Sequence, residues 1–304
     1  MSDAPTASTP ADPAAAAPSA LTVHAALITV QLIFGGFYVV GKAVLREMEP
    51  LALAALRVAF AAPLLACIAW RHDHVRPRGR DLSWLALLGL LGVTANQGLF
   101  ITGLKYTTAT NAAILMPSIP VFTAAVAALL RIEPLTRQRL LGVALSVAGA
   151  LVLINPLRFA TGGQTARGNL LILVNCFCFA LFLVLQRPLF QRVPWRTVIA
   201  GSFVFGALGV LPLSGPALAA LDPGKISAGA WLGVAYIVLF STTIAYAVNT
   251  WAVRRSSPAL VAAYTTLQPL ATALLAAAFL GETFGWAEGL GLGLIVAGLW
   301  QVSR

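Results

Sequence analysis

The chain has 304 residues, of which 59% are hydrophobic and only 10% are charged, and its mean hydropathy is +0.86. Soluble domains carry about a quarter charged residues, so this composition excludes an ordinary soluble globular protein. The net charge of +10 does not indicate nucleic-acid binding, because the basic residues lie between long apolar runs and form no face with interleaved aromatic residues.

Residues 1–23 precede the first apolar segment and contain no Lys or Arg. They lack the basic start and the compact apolar core of a secretory signal, so we expect a disordered tail. A helix needs about 20 apolar residues to cross a bilayer. Apolar segments approaching or exceeding that length cover residues 24–45, 51–70, 82–104, 109–130, 138–155, 168–187, 195–214, 230–251, 257–280 and 284–302. The sequence therefore predicts an all-α integral membrane protein with ten transmembrane helices.

Basic residues mark one set of connections between these helices. The even-numbered connections carry most of the Lys and Arg residues, beginning with Arg71, Arg76, Arg78 and Arg80 after the second helix. Short cytoplasmic loops are enriched in Lys and Arg. We therefore expect the even-numbered connections and both chain termini, including the tail, to lie in the cytoplasm.

The chain repeats itself after 149 residues. This shift pairs Pro120 with Pro269 and Glu133 with Glu282, and it aligns the VAG triplet at 147–149 with the one at 296–298. Each copy holds five predicted helices, an odd number, so the second copy must enter the membrane from the opposite side. We expect two inverted five-helix repeats, residues 24–155 and 168–302, an architecture with which transporters open to opposite faces in turn.

Polar residues within the predicted helices fall on single helical faces. Gln31 and Tyr38 lie on one stripe of the first helix, and Asn175 and Phe179 lie on one stripe of the sixth. A polar side chain in lipid is costly unless it faces a cavity or a partner, so these stripes predict the wall of a central chamber. Hydrogen bonding that merely holds helices together is the alternative for each residue. The candidate substrate-binding residues are Gln31, Tyr38, Arg57, Asn96, Gln97, Asn111, Asn175, Phe179, Tyr246, Asn249, Tyr264 and Gln268.

The positions of the charged residues restrict the class of substrate. All acidic residues lie outside the predicted helices or at their ends, so we expect no mid-membrane acid that would bind an organic cation. Arg57 lies about two turns inside the second helix, where it could bind a substrate carboxylate or extend toward the headgroups. Amides, hydroxyls and aromatic rings together suit a small amphipathic substrate.

Prolines interrupt the predicted fourth and ninth helices. A proline cannot donate a backbone hydrogen bond, so Pro120 would free the carbonyl of Met116, and Pro269 would free that of Thr265. Such broken turns are tolerated in membranes where protein or a wet cavity supplies another partner. We expect Pro117, Pro120 and Pro269 to act as hinges beside the chamber; a static packing kink is the alternative.

No sequence pattern indicates catalysis. Cys67, Cys176 and Cys178 lie in apolar runs without a nearby His cluster, no His lies in mid-helix, and the phosphate-binding pattern G-x-x-x-x-G-K-[ST] does not occur. We therefore expect no catalytic residue, no metal and no cofactor, and we do not expect an enzyme.

Several segments resemble the EamA branch of the drug/metabolite transporter superfamily. They are NQGLFITGLKYTTATNAAILMPSIPVFTAAVAALLRIEPL at Asn96–Leu135, LALAALRVAFAAPLL at Leu51–Leu65 and SSPALVAAYTTLQPLATALLAAAFLGETF at Ser256–Phe284. GLKYTTAT is also similar to plant nodulin-like members. The resemblance implies ten helices, a central cavity lined mainly by helices 1, 3, 4, 6, 8 and 9, and export across the inner membrane of a bacterium.

The sequence and the resemblance together predict a secondary transporter. We expect it to export a small amphipathic metabolite, such as an amino acid or an aromatic compound, by alternating access. Its partners would be that small-molecule substrate and membrane lipid, and not nucleic acid; a proton or a counter-substrate could couple transport. The alternatives are a channel or facilitator for small solutes and, less favoured, an intramembrane enzyme, which would need His and acidic residues inside the bilayer.

Overall fold

The computed structural model describes residues 19–107, 115–154, 163–271 and 286–303. These residues form helices and turns, with no β-strand in any of the four ranges. We number the helices in chain order and count composite helices once. The simple helices are α1 (Ala20–Val44), α2 (Pro50–Asp73), α4 (Ser118–Leu129), α5 (Arg137–Ile154), α6 (Gly163–Leu189), α7 (Trp195–Leu213) and α10 (Trp286–Ser303).

The remaining helices are composite. Helix α3 consists of Arg80–Gly89, the π-helical segment Leu90–Ala95 and Asn96–Tyr106. Helix α8 consists of Ala228–Tyr236, the π-helical segment Ile237–Ile244 and Ala245–Arg255. Helix α9 begins with Pro258–Tyr264, passes through the 3₁₀ turn Thr265–Leu267 and continues over 268–271. Short helical turns at Gly215–Ala219 and Pro223–Lys225 connect α7 to α8.

Six of the described helices are long and apolar enough to cross a membrane, among them Pro50–Asp73 and Gly163–Leu189. Ser118–Leu129 and Gly289–Ser303 are shorter apolar helices. The predicted fourth and ninth spans run into residues outside the described ranges. Of the predicted tail at 1–23, residues 1–18 lie outside them, and the rest form the cap and the first residues of α1. The total of ten spans therefore stays a prediction, while the membrane-spanning, all-helical class is confirmed.

Local chemistry sets where several helices begin. The Ser19 hydroxyl accepts a hydrogen bond from the Thr22 amide at 3.2 Å, which caps α1 and starts it at Ala20. Ser227 and Ser257 cap α8 and α9 in the same way. Proline occupies the first position of α2, where its missing N–H would have had no helical partner.

The two π-helical segments occupy matching places in the sequence repeat. A shift of 149 residues carries the end of the first segment, Ala95, onto the end of the second, Ile244. In the second segment, the hydroxyls of Thr242 and Thr243 each donate to the carbonyl five residues earlier, at 2.8 Å. π-Helical turns often mark functional sites, and here each one immediately precedes a stretch of polar and aromatic residues.

The proline breaks are also repeated, and at each one a neighbouring backbone amide supplies the replacement partner. Met116 O accepts from the Ile119 amide at 2.9 Å, just before Pro120. Thr265 O likewise accepts from the Gln268 amide, just before Pro269. Of the two expected sources, protein or a wet cavity, protein therefore supplies the partner of each carbonyl, in a tighter, 3₁₀-type turn. Pro117 sits in the turn that precedes α4, and Pro120 in the first turn of that helix.

Glycines bring α5 and α10 into close contact. A Cβ added to Gly142 would lie 2.7 Å from Gly298 O, and one added to Gly149 would lie 2.7 Å from Gly291 O. Rising numbers on α5 meet falling numbers on α10, so the two helices run antiparallel. Gly142 and Gly291 are repeat mates under the 149-residue shift, as are Gly149 and Gly298. Equivalent helices of the two copies thus pack through equivalent small residues, as close helix packing in membranes requires.

Polar contacts between connections define the two ends of the bundle. At one end, which we call the even end, Asp73, the last residue of α2, accepts from Arg196 Nη1 at 3.2 Å and from the Thr197 amide at 3.0 Å. At the other, which we call the odd end, Glu47 after α1 accepts from the Ser227 amide at 2.7 Å. Both sets join the first half of the chain to the second.

Candidate functional site

A cavity of about 630 Å³ lies inside the bundle. Residues of α1, α2, α3, α4, α6, α8 and α9 line it, together with the turn before α4. The described part of the wall therefore includes every helix that the resemblance implied, and α2 in addition. Its aromatic surface comes mainly from Phe34, Phe37, Phe100 and Phe179.

Repeat mates contribute to the lining of this one cavity. Four pairs of residues that are 149 positions apart all line it, so both copies of the repeat contribute equivalent places to one space. The side chains within a pair differ in chemistry, which makes the cavity asymmetric although its framework is repeated. The pairs are Gln97 with Tyr246, Phe100 with Asn249, Met116 with Thr265, and Ile119 with Gln268.

A polar link crosses the cavity wall between α3, α6 and α8. Tyr246 Oη donates to Asn96 Oδ1 at 3.2 Å, and Asn175 Nδ2 donates to Asn96 O at 2.6 Å. The Tyr246 ring meets Phe203 edge-on at a centroid distance of 5.3 Å and Phe179 at 6.3 Å. Aromatic packing therefore fixes the ring while its hydroxyl holds the amide that follows the first π-helical segment.

Arg57 places a guanidinium on the α2 side of the cavity. Its Nε donates to Thr242 Oγ1 at 2.9 Å, and its Cζ lies 4.9 Å from the centroid of the Phe37 ring. Among the described residues, no carboxylate comes within ion-pair distance of it. The second π-helical segment thus holds the cation in place without neutralising it.

Buried amides in the wall retain hydrogen-bonding capacity. Gln97 is 4% exposed, and neither its Nε2 nor its Oε1 has a partner among the described residues. Asn249 is 5% exposed, and its Oδ1 is likewise without a described partner. A buried polar group without a partner costs about 1–3 kcal/mol, so a polar solute would stabilise these positions.

The cavity reaches the odd end of the bundle. Glu49 and Pro50, at the start of α2, and Tyr106, at the end of α3, belong to its lining, and the first two are exposed. Toward the even end, His24 of α1 is hydrogen-bonded to Tyr264 Oη of α9 at 2.6 Å. This bond joins α1 of the first half of the chain to α9 of the second half, and neither His24 nor Tyr264 lines the cavity.

The predicted site residues divide into three groups. Gln31 and Tyr264 are buried but do not line the cavity; Gln31 has no hydrogen-bond partner among the described residues. The side chain of Tyr38 and the whole of Asn111 lie outside the described residues. The structure brings together the others around the cavity: Arg57, Asn96, Gln97, Asn175, Phe179, Tyr246, Asn249 and Gln268.

Phe179 was predicted from its helical face, but most of the apolar lining was not, and the sequence repeat contained a signal for part of it. Shifting Asn249 and Gln268 back by 149 residues gives Phe100 and Ile119, which both line the cavity. Phe37 neighbours the predicted stripe of α1 and gave no polar signal. Within the described ranges, no group of three or more His, Cys, Asp or Glu residues could hold a metal ion.

Comparison with known proteins agrees with this geometry. The EamA-like transporter family matches the chain twice, at residues 21–155 and at 166–304. The chain belongs to the EamA-like transporter family. Its function class is therefore transport, in an integral membrane protein with a small-molecule substrate. The double match gives each half of this EamA protein one copy of the family domain.

Relatives and a solved structure extend the match over most of the EamA chain. It is 30% identical to the Arabidopsis thaliana protein WALLS ARE THIN 1, over 94% of this chain and 83% of that one. It is 31% identical to an uncharacterized transporter of Archaeoglobus fulgidus (92% and 96%) and 29% identical to the uncharacterized inner membrane transporter YedA of Escherichia coli K12 (91% and 89%). A crystal structure with 20% identity shares the fold, with a TM-score of 0.76 over 94% of this chain and 98% of that one.

Proposed function

We propose that the protein is a secondary transporter that carries a small amphipathic metabolite, such as an amino acid or an aromatic compound, through the central cavity. The observation that carries this proposal is the set of four repeat-mate pairs that line one space. Its volume of about 630 Å³ is that of a small-molecule site. In alternating access, two related units take turns in closing either end of a shared site.

The packing of α5 on α10 supports an inverted arrangement of the two copies. Equivalent helices that run antiparallel and touch through repeat-mate glycines are related by a two-fold axis across the helices. Such an axis lies in the plane of the membrane when the helices cross it. We propose that the five-helix units 24–155 and 168–302 are inverted repeats within a ten-helix protein.

The two ends of the cavity support a state that is open at the odd end. Exposed Glu49 and Pro50 lie at its mouth, whereas the bond between His24 and Tyr264 ties α1 to α9 toward the even end. The Arg-rich even connections favour a cytoplasmic position for that end and for both termini. We propose export, in a bacterial inner membrane like that of YedA.

The repeated helix irregularities are the elements that we propose to move. The π-helical segments of α3 and α8 and the 3₁₀-type turns at Pro120 and Pro269 all adjoin the cavity, and each kind occurs at matching places. A 3₁₀ stretch inside a helix often marks a functional hinge, and π-helical turns are frequent at functional sites. Pro117, Pro120 and Pro269 act as hinges in this proposal.

Flux through reconstituted vesicles tests the function. Liposomes that contain the purified protein are loaded with labelled amino acids and aromatic metabolites, one solute at a time. Efflux of each solute is followed while a pH gradient is imposed and then collapsed. We expect saturable flux of at least one solute, with a response to the gradient only if protons couple transport. Flux that never saturates would favour a channel or facilitator, and flux equal to that of empty liposomes would reject transport.

A matched pair of variants separates the cavity from the rest of the core. Gln97→Leu and Gln31→Leu both replace a buried glutamine whose amide has no described partner, but only Gln97 lines the cavity. We expect Gln97→Leu to raise the solute concentration for half-maximal flux and Gln31→Leu to leave it unchanged. Equal effects would show that the cavity is not the route.

A further inference from the structure

The only charged side chain in the described wall beyond the mouth of the cavity is Arg57. It is half-buried, and described residues accept a hydrogen bond only from its Nε. Arginine has five N–H donors, so the four on its two terminal nitrogens remain for another acceptor. A cation in a low-dielectric cavity is costly without a counter-charge, and a carboxylate can bind both terminal nitrogens at once.

The positions of the acidic residues argue against a positive charge on the solute in addition to its carboxylate. Glu49 is the one carboxylate in the described lining, and it is exposed at the mouth. It precedes Arg57 by about two helical turns, roughly 12 Å along α2. An ammonium group next to a carboxylate held by Arg57 would therefore meet no anion among the described lining residues, and would lose its hydration without compensation from them.

The remaining lining residues indicate the chemistry of the part of the solute that lies away from Arg57. Phe37 already packs against the guanidinium, and Phe34, Phe100 and Phe179 add apolar ring surface. Flat aromatic groups pack well against such rings. Both amide atoms of Gln97 and the Oδ1 of Asn249 have no partner among the described residues, and these side chains are neutral, so they add hydrogen-bonding groups without a second counter-charge.

We propose, as a refinement that rests on the transport function above, that the substrate is a monocarboxylate with an aromatic or similarly flat apolar tail, and that Arg57 binds its carboxylate. Of the two solute classes considered above, this selects the aromatic acid over the amino acid. An organic cation is also disfavoured, because the Arg57 guanidinium would repel its positive charge.

Thr242 is the positioning residue for this contact. Its hydroxyl hydrogen is engaged by Ile237 O at 2.8 Å across the π-helical turn, so its oxygen can only accept from Arg57 Nε. The neighbouring Thr243 makes the same kind of bond to Val238 O, also at 2.8 Å, but does not contact Arg57. The chain thus offers its own control for the hydroxyl that orients the cation.

The test is equilibrium binding to purified protein in detergent, with four probes that share one ring: 3-phenylpropanoate, its neutral amide 3-phenylpropanamide, phenylalanine and 2-phenylethylamine. We expect 3-phenylpropanoate to bind about tenfold or more tightly than each of the others, since charge-assisted hydrogen bonds are the stronger ones. Phenylalanine binding as tightly as 3-phenylpropanoate, or no binding of 3-phenylpropanoate, would overturn the proposal.

Variants test whether Arg57 and Thr242 cause the preference for the acid over the amide. Arg57→Gln should reduce the acid-to-amide affinity ratio to near one, and Arg57→Lys should retain part of it. Thr242→Val should lower the ratio several-fold, whereas Thr243→Val should keep the wild-type ratio. An unchanged ratio in Arg57→Gln, or an equal loss in both Thr variants, would contradict the assignment; if Arg57→Gln does not fold, the Thr pair still decides.

Binding and flux can fail separately. Wild-type protein that binds 3-phenylpropanoate but moves no solute in liposomes would reject the transport function and leave the carboxylate site standing. Wild-type protein that moves amino acids but does not bind 3-phenylpropanoate would reject the carboxylate site alone.

Discussion

The contact between α5 and α10 predicts a sharp difference between two glycines of the same helix. A Cβ added at Gly298 would lie 2.5 Å from Gly142 O and would overlap Ser146 Oγ as well, whereas one added at Gly293 would meet nothing within 4 Å. Forcing an extra methyl group into a packed site costs about 1–3 kcal/mol. We therefore expect Gly298→Ala to lower the melting temperature by roughly 2–10 °C.

The control should behave in the opposite way. Gly293→Ala adds the same atom on an exposed face of α10, and alanine is favoured over glycine in helices by about 1 kcal/mol. Its melting temperature should equal or exceed that of the wild type, as followed by size-exclusion chromatography of heated, detergent-solubilised protein. Equal losses in the two variants, or no loss in Gly298→Ala, would refute the close packing of repeat-mate glycines.

Three further predictions concern the ends and the wall of the bundle. Asp73→Ala removes an ion pair and two hydrogen bonds at the start of α7, where the Asp73 side chain is buried. Its melting temperature should therefore fall clearly below that of Asp222→Ala, which removes an ion pair and one hydrogen bond from the Gly224 amide, both exposed. Tyr246→Phe keeps the packed ring and leaves Asn96 Oδ1 unpartnered, so unfolding should become easier by about 1 kcal/mol, against about 3–5 kcal/mol for Tyr246→Ala. Pro269→Ala restores a backbone donor beside the 3₁₀ turn of α9, and we expect slower flux at unchanged or higher melting temperature; normal flux would favour a static kink.

Much of the cavity could be predicted because lipid penalises polar groups. Asn96, Asn175 and Gln268 were predicted from polarity and helical position, and Arg57 from its charge and its depth in the second helix; the structure brings all four to one space. Helical spacing does not show whether a polar side chain faces the cavity or is packed between helices. Gln31 has the expected polarity but is packed away from the cavity.

The backbone irregularities were beyond such reasoning. A π-helical turn leaves no hydrophobic period of its own, so the segments Leu90–Ala95 and Ile237–Ile244 had no signal in the sequence. Polarity and spacing left open whether protein or a wet cavity would supply partners for the carbonyls of Met116 and Thr265; a neighbouring amide satisfies each of them. Where a backbone group bonds depends on local geometry that composition and spacing do not encode.

The most direct test of the account is the accessibility of one cysteine from the two faces of the membrane. Gln97→Cys is introduced into a chain in which Cys67, Cys176 and Cys178 have been replaced, and membrane-impermeant reagents are applied to either face. Alternating access predicts labelling from both faces, with the ratio shifted by solute and by His24→Phe, which removes the bond to Tyr264. Labelling from one face only, under every condition, would contradict it.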